Sequence, residues 1–419
     1  MFTLQCMLRN LWAPGQSKSE RPSHDLRPNP PEYSQALKRS FTSSITLGRR
    51  AALLALATVL VIGCDRSPIT GDQITDPGLN AAVDASNGGA AAVGGGSPFV
   101  TRTGTQLVLK GKLYRFTGLN IYNANSSGSC WYAMASGTIL DRSLAAIGAG
   151  KEAFRSWFFQ SLATTGAQRD WSAFDHTLSV ARSHRVKVIA TLTNQWGDCE
   201  AGGYKTDSWY TGGYTQLDPG GIASYRDWVA EVVTRYRDDP TILAWQLINE
   251  AEVKPSRDAT CSAGAATILK AFAADVSGLI KSLDPNHLVS LGTMGGGQCG
   301  AQSAEYQDVY SVASIDLCEY HDYQPLAPMP GDQYNGLQVR IDQCNALEKP
   351  LFVGETGIIP NDVGGTLEGR AAALKAKLRA QFRAGVVGDL VWAWSALGST
   401  LDSYDVGPGD PVLKVLGGN

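Results

Sequence analysis

The sequence predicts an α/β fold, a (β/α)8 barrel, over residues 98–419. From residue 98 onward, short apolar runs alternate regularly with amphipathic segments, which is typical of parallel strands joined by helices. Eight such runs fit within this segment, and eight is the number that closes a barrel rather than leaving an open sheet.

The predicted strands are short runs rich in Val, Ile, Leu and aromatic residues. They cover residues 114–120, 153–158, 187–193, 242–248, 288–291, 315–320, 351–354 and 388–394. Between them, amphipathic stretches predict helices over residues 171–183, 222–236, 265–283 and 367–384. The opening segment, residues 99–115, has Gly104 and Gly111 at its turns and is predicted to form a hairpin-like cap at the bottom of the barrel.

Residues 1–64 form an N-terminal extension that ends in an export signal. Arg49-Arg50 precedes an apolar run over residues 51–62, and Gly63-Cys64 follows it. The segment 61–64 resembles a bacterial lipobox, which implies cleavage before Cys64 and lipidation of its thiol. Plain secretion and a retained anchor stay open as alternatives, although the run is shorter than the roughly 20 residues that cross a bilayer. Residues 65–97, rich in Gly and Ala, are predicted to be a flexible linker.

Composition limits the classes of partner. The net charge is −3 with both signs interspersed, which indicates no nucleic-acid partner and no membrane contact beyond the anchor. Ten Trp and fifteen Tyr suit a protein that offers aromatic platforms to a neutral ligand such as a sugar. We therefore expect an exported monomer, as a cell-surface lipoprotein or a secreted protein, that acts on a polysaccharide or oligosaccharide.

Beyond Cys64 the chain has six cysteines, and an even number in an exported chain predicts disulfides. Six cysteines allow 15 connectivities. We favour the pairs 130 with 199, 261 with 299, and 318 with 344, because the barrel places the first four on loops at one face. None has the CxxC spacing of a zinc site, so neither a metal nor a cofactor is expected.

Two glutamates are the predicted catalytic pair. In barrels of this kind the active-site groups lie at the carboxyl ends of the strands. Glu250, preceded by Asn249, follows the fourth predicted strand, and Glu355 follows the seventh. Glycoside hydrolysis uses two facing carboxyl groups, and a separation of about 5 to 5.5 Å indicates retention through a covalent glycosyl-enzyme.

The surroundings of the two acids predict their roles. An amide and aromatic walls favour a raised pKa for Glu250, the general acid/base. Arg155 and the Tyr323 hydroxyl favour an ionised Glu355, the nucleophile. Asn249 is expected to hydrogen-bond the sugar 2-hydroxyl.

Other polar and aromatic residues at strand ends complete the predicted substrate site. They are Arg155, Trp157, Asn194, Trp196, Asn249, His321, Tyr323 and Trp392. Other roles stay open: Arg155 as a structural ion-pair partner, His321 as a core histidine or metal ligand, and Trp394 in place of Trp392 under the sugar. Trp131, Trp196 and Trp209 suit packing as well as they suit sugar stacking.

The order of these motifs resembles glycoside hydrolase family 5, and particularly its endo-β-mannanases, over the whole segment from 98 to 419. The motifs are residues 154–157 (FRSW), 193–196 (TNQW), 249–250 (NE), 321–323 (HDY), Glu355 and Trp392. The resemblance implies that Glu250 is the acid/base and Glu355 the nucleophile. It also implies that Arg155, Asn249, His321, Tyr323 and Trp392 form the surrounding network.

Three features depart from the family pattern. Ala251 and Glu252 follow the acid/base where Pro is usual, Glu319 shares a strand face with His321, and the loop over residues 197–214 is long. The predicted function is a retaining glycoside hydrolase on a β-1,4-linked polysaccharide, mannan or glucomannan first. The alternatives are an exo-acting β-mannosidase or β-glucosidase, an endo-β-glucanase, and a carbohydrate-binding lipoprotein without activity.

Overall fold

The structure, a computed structural model, describes residues 96–417. The predicted lipobox with Cys64, and the linker up to residue 95, lie outside the described residues. Within residues 96–417, no helix is both long enough and apolar enough to span a membrane.

Eight parallel strands form the central sheet, which confirms the predicted barrel. Neighbouring strands pair in the spatial order 5-4-3-2-1-8-7-6, counted along the chain, and a bridge between Ser290 and Leu317 joins the fifth strand to the segment that leads into the sixth. The barrel strands are Phe116–Asn120, Ala153–Trp157, Lys187–Thr191, Ile242–Gln246, Leu288–Ser290, Cys318–Asp322, Leu351–Thr356 and Gly388–Val391.

One helix of the outer ring follows each barrel strand. These helices are Ile139–Ile147, Ser172–His184, Tyr225–Tyr236, Ala265–Leu283, Ala304–Tyr310, Leu337–Ala346, Leu367–Ala384 and Val412–Leu416. The third begins three residues later than predicted, because the Ser224 side chain caps it by accepting from the Asp227 amide at 3.0 Å. Between strands and helices lie a short helix, Asp207–Tyr210, three 3-10 turns, Gln160–Ala163, Gly213–Thr215 and Pro360–Val363, and a two-stranded ribbon of Thr164–Thr165 and Gln168–Arg169.

A three-stranded antiparallel sheet precedes the barrel and covers its bottom. Its strands are Val100–Thr103, Gln106–Leu109 and Lys112–Tyr114, and Gly104 and Gly111 take positive φ angles at the two turns. Val100 and Leu107 pack with residues near the amino ends of the barrel strands, such as Phe116 and Phe352. This end of the barrel is therefore closed by apolar contacts.

The bounds of every barrel strand differ from prediction by one to three residues, and the differences at the sixth, seventh and eighth strands affect site residues. The sixth strand runs Cys318–Asp322 instead of 315–320, with a register shift between Tyr320 and His321, so His321 lies on the strand. The eighth strand ends at Val391, so Trp392 and Trp394 lie beyond it. A non-proline cis peptide joins Trp392 to Ala393.

The three disulfides are the pairs that the sequence favoured: Cys130–Cys199, Cys261–Cys299 and Cys318–Cys344. The first joins the loops after the first and third barrel strands, and the second joins the loops after the fourth and fifth. The third joins the sixth strand to the helix that follows it. Disulfides persist in oxidising compartments, which agrees with an exported chain.

Replacing both Cys318 and Cys344 by Ser is expected to lower the free energy of unfolding by about 3 kcal/mol, because the cross-link closes a loop of sequence separation 26. Urea unfolding of the oxidised double variant and of the unaltered protein measures the difference. Adding a reductant should bring the unaltered protein toward the variant, and equal midpoints under oxidising conditions would contradict the prediction.

Candidate active site

The guanidinium of Arg155 lies at the centre of the barrel mouth and is fully buried. Its Nη1 donates to Glu355 Oε1 at 2.8 Å and to Asn120 Oδ1 at 2.9 Å. Nε donates to Gln246 Oε1 at 2.7 Å, and Nη2 donates to Asn249 Oδ1 at 2.5 Å. The buried charge is thus paired with one carboxylate and surrounded by amide oxygens, which is how a protein tolerates a buried cation.

Glu250 and Glu355 face each other across the mouth. Glu250 follows the fourth strand with a left-handed backbone (φ 57°), which is uncommon outside glycine, whereas Glu355 lies on the seventh strand. A carboxylate oxygen of one residue lies within 4.8 Å of an oxygen of the other. Such a separation suits direct attack by one carboxylate while the other exchanges protons with the leaving oxygen.

The environments of the two carboxyl groups are opposite. Burial and the charge of Glu355 raise the pKa of Glu250 to about 7, so this group holds a proton at neutral pH much more readily than an ordinary glutamate. Glu355 receives hydrogen bonds from Arg155 at Oε1 and from the Tyr323 hydroxyl at Oε2, so one of its donors is a permanent cation. The guanidinium compensates the negative charge of Glu355.

His321 connects the two acids to a third carboxylate. Its Nδ1 lies 2.8 Å from Glu250 Oε1 and 3.5 Å from Glu355 Oε2, and its Nε2 lies 3.2 Å from Glu319 Oε1. Burial alone would lower the pKa of His321, but the neighbouring carboxylates outweigh it and raise this pKa to about 10. The imidazole therefore carries a positive charge between three acids.

Glu319 has a supporting place in this network. Both of its oxygens accept from Gln246 Nε2 at 2.6 Å, and Oε2 also accepts from Ser290 Oγ at 2.7 Å. Gln246 Oε1 also accepts a hydrogen bond from Arg155, so Gln246 connects the Arg155 guanidinium to the Glu319 carboxylate. Glu319 lies behind His321, which explains how the site accommodates this departure from the family pattern.

Aromatic rings form one wall of the mouth. Trp392 stacks on Tyr122 with ring centroids 5.2 Å apart, and it lies 6.1 Å from Trp157 at a tilt of 41°. Trp157 also lies 4.6 Å under the Arg155 guanidinium. Trp394 is nearly fully buried whereas Trp392 is partly exposed, so Trp392 is the better placed of the two to contact a sugar.

Asn194 and Trp196 follow the third strand and lie beside Asn249 and Glu250. Trp196 Nε1 donates to Glu250 Oε2 at 2.5 Å, and Asn194 Oδ1 accepts from Asn249 Nδ2 at 3.0 Å. Every site residue predicted within residues 96–417 thus lies in one connected cluster. Among the open alternatives, Trp209 packs against Phe272 and neighbouring tyrosines, and Trp131 is about half exposed, at 47%.

Tyr122 and Gln246 belong to this cluster but were not among the predicted site residues. Tyr122, which stacks on Trp392, lies two residues beyond the first strand, and Gln246 lies inside the fourth. The alternation of strand residues offers a signal for Gln246, since polar inward positions of a barrel strand are uncommon.

The side chains of this cluster can supply acid/base and nucleophilic chemistry by themselves, without a metal ion or cofactor. Ligand atoms of Glu250, His321 and Glu355 converge within 4.8 Å, a set that would hold a metal ion by geometry alone. The Arg155 guanidinium, 2.8 Å from Glu355, opposes a second cation there by like-charge repulsion.

Comparison with known proteins supports this description. Residues 222–325, which include Glu250 and His321, match the family described as GH family 5 beta-mannosidase-like. The chain is 27% identical to mannan endo-1,4-beta-mannosidase A of Hypocrea jecorina, over 71% of this chain and 70% of the relative. It is also 27% identical to mannan endo-1,4-beta-mannosidase A of Podospora anserina, over 78% of this chain and 89% of the relative.

Solved structures share the fold. The endo-1,4-beta-mannanase of Rhizomucor miehei superposes with a TM-score of 0.59 at 22% identity, over 76% of this chain and 97% of that one. The endo-1,4-beta-D-mannanase of Thermotoga petrophila gives 0.55 at 21% identity, over 72% and 98%. The sequence motifs, the family match and the curated relatives together confirm the predicted resemblance to glycoside hydrolase family 5 and, within it, to the endo-β-1,4-mannanases.

Proposed function

We propose that this protein is a retaining endo-β-mannanase that cleaves β-1,4-linked mannan or glucomannan. The observation that carries the proposal is the pair of facing carboxyl groups, within 4.8 Å of each other and held in opposite environments. The short separation favours retention, because an inverting enzyme needs roughly 6.5 to 9.5 Å to admit a water molecule between the acids.

In the first step, a Glu355 oxygen attacks the anomeric carbon while Glu250 gives its proton to the departing glycosidic oxygen. The carbon–oxygen bond to the leaving sugar breaks as the bond to Glu355 forms, so a covalent glycosyl-enzyme results. In the second step, ionised Glu250 takes a proton from water, and the resulting hydroxide displaces Glu355 at the same carbon. Two displacements restore the original anomeric configuration and return both carboxyl groups to their starting states.

The surrounding residues position these groups. Arg155 and Tyr323 fix the two oxygens of Glu355 for attack. Asn249 carries two amide hydrogens and directs one at Asn194; we propose that the other binds the sugar 2-hydroxyl, a contact that strengthens in the transition state. Trp392 and Trp157 would lie under the sugar ring.

The choice of mannan rests on the named relatives, which are mannan endo-1,4-beta-mannosidases. An exo-acting β-mannosidase is the second candidate, because the matching family is described as beta-mannosidase-like. Product analysis on mannan, glucomannan, cellulose and xylan separates them. Mixed oligosaccharides from mannan support endo cleavage, and monosaccharide alone supports the exo alternative.

We also propose that the mature protein is exported as a monomer anchored through lipid on Cys64. The three disulfides of the catalytic domain support export, and the lipobox-like segment 61–64 supports the anchor. Radiolabelled palmitate incorporation that disappears in Cys64→Ser tests the lipidation.

Glu355→Gln is expected to lower kcat on mannan by at least about 1,000-fold, because the amide cannot form the glycosyl-enzyme. In Glu355→Ala, azide should restore turnover and yield a glycosyl azide of inverted configuration, which product NMR identifies. Glu368→Gln, at an exposed helix position, is the matched control and should keep full activity. Hydrolysis by Glu355→Gln at the unaltered rate would exclude the nucleophile role.

Glu250→Ala is expected to slow mannan hydrolysis by about 100- to 10,000-fold while sparing aryl glycosides with good leaving groups, which need no acid. The pKa of about 7 lies above the ordinary value, so Glu250 keeps its proton below pH 7 and loses it as the pH rises. In the unaltered protein, kcat/KM on mannan should therefore fall above pH 7. Stopped assays across pH measure this decrease in kcat/KM. If the decrease above pH 7 persists in Glu250→Ala, it belongs to the titration of another group.

A further inference from the structure

A buried ion pair lies between the sixth barrel strand and the helix Leu367–Ala384 of the outer ring. Lys377 Nζ lies 2.7 Å from Asp322 Oδ2, and the two side chains are 1% and 0% exposed. Gln381 Nε2 donates to the same oxygen at 2.8 Å. Burial raises the pKa of Asp322, and the Lys377 ammonium opposes this effect. Such a pair often adds little net stability, but removing one partner leaves an uncompensated buried charge. Each partner therefore fixes the position of the other.

Asp322 is the last residue of the sixth strand and lies between two residues of the candidate active site. His321 precedes it, and its Nδ1 lies 2.8 Å from Glu250 Oε1. Tyr323 follows it, and its hydroxyl donates to Glu355. Because the three residues are adjacent, neither contact keeps its geometry if the backbone at Asp322 moves. The ion pair thus holds the segment that supplies both contacts.

The same pair also fixes the backbone around the end of this strand. Lys377 Nζ donates to the Ala327 carbonyl at 2.6 Å, and Asp322 Oδ1 accepts from the Gln324 amide at 3.0 Å. The Asp322 carbonyl accepts from the Gly357 amide, just beyond the seventh strand, at 2.9 Å. The ends of the sixth and seventh strands are therefore joined at Asp322.

A second buried carboxyl group contributes to this cluster from the eighth strand. Asp389 Oδ1 accepts from the hydroxyl of Thr356 at 2.8 Å, and Thr356 directly follows Glu355. Burial and, to a smaller extent, the charge of Asp322 raise the pKa of Asp389 to about 8, although Lys377 lowers it. Asp389 therefore holds a proton at neutral pH, so the one ammonium faces one carboxylate rather than two.

We propose that Lys377 is a positioning residue, which through Asp322 holds the sixth strand where its site residues contact the two candidate catalytic carboxyl groups. The proposal rests on the proposed function, because it assigns Lys377 an effect on the proposed acid and nucleophile. The Lys377 ammonium itself is bound by Asp322 and the Ala327 carbonyl. Its effect is therefore on the alignment of the reacting groups.

A loss of position at His321 has a signature that a loss of stability lacks. Burial and the charge of Glu355 raise the pKa of Glu250, whereas the hydrogen bond with His321 lowers it. Burial lowers the pKa of His321, but the surrounding carboxylates raise it to about 10. If the strand shifts and His321 withdraws, the pKa of Glu250 rises and that of His321 falls. The decrease in kcat/KM at alkaline pH then moves to higher pH.

Lys377→Met removes the ammonium and keeps most of the side-chain length. Lys375→Met, at an exposed position of the same helix, is the matched control. Lys377→Met is expected to lower kcat on mannan by about 10- to 100-fold with little change in KM, because a displacement of about 1 Å can cost that much. Its alkaline decrease in kcat/KM should lie at higher pH than in Lys375→Met. Circular dichroism at the assay temperature establishes that each variant is folded.

The double variant Lys377→Met/Asp322→Asn separates positioning from stability and serves as the test if Lys377→Met does not fold. It removes both buried charges, so it should be more stable than Lys377→Met. The lowered kcat should persist, because the strand has still lost its link to the helix. Recovery of the unaltered kcat together with stability would assign the ion pair a merely structural role and overturn the proposal.

Nitrogen-15 NMR titration of the five histidines of the chain follows the pKa of His321 without any turnover. In Lys377→Met this pKa should fall by at least about 1 relative to Lys375→Met, because the imidazole withdraws from its carboxylates. A folded Lys377→Met that matches Lys375→Met in kcat, alkaline pH profile and His321 pKa would overturn the proposal. If the unaltered protein cleaves no mannan, the proposed function fails, and the His321 titration alone decides whether Lys377 holds the strand.

Discussion

The buried guanidinium of Arg155 is the constraint around which the rest of the site is arranged. A charge at this depth is tolerated only where a counter-charge and hydrogen-bond acceptors surround it. Its four partners lie at or just beyond three strands, the first, fourth and seventh: Asn120, Gln246, Asn249 and Glu355. The contacts that stabilise the Arg155 cation thus also hold Glu355, the proposed nucleophile, and Asn249, which precedes the proposed acid, so stability and the proposed chemistry depend on the same contacts.

The two candidate catalytic glutamates differ because the Arg155 guanidinium lies beside only one of them. Glu355 has Arg155 at 2.8 Å, whereas Glu250 is buried next to the charge of Glu355, and its pKa rises to about 7. His321 moderates this difference, since it contacts both acids and is itself backed by Glu319. The positions of a few neighbouring charges therefore give two chemically identical side chains different proposed roles.

The barrel and the catalytic pair could be predicted from sequence because both depend on local pattern. Strand periodicity locates the strand ends, and the fold brings the carboxyl ends of the strands to one face. Glu250 and Glu355 can therefore be predicted to face each other without knowledge of the distance between them. Tyr122 could not be found in this way, since its stacking on Trp392 depends on side-chain packing between distant segments. Gln246 lies inside the fourth strand rather than at its end, so a search of strand ends does not find it, although its polar strand position is a signal. The sixth strand was misplaced because its register shift at Tyr320 and His321 interrupts the periodicity.

Two of the three disulfides lie at the catalytic face of the barrel. Cys130–Cys199 and Cys261–Cys299 each link two loops at the catalytic face, and Cys130 packs on Trp157 and Phe159, whereas no disulfide of the described residues joins the three-stranded sheet at the bottom to the barrel. Two cross-links thus join loops around the candidate sugar site, and the third, Cys318–Cys344, joins a strand and a helix of the scaffold. Disulfides persist only in an oxidising compartment. A molecule kept in a reducing compartment would therefore have a barrel whose loops at the catalytic face are not cross-linked. Only a molecule that reaches an oxidising compartment would acquire the cross-linked cleft.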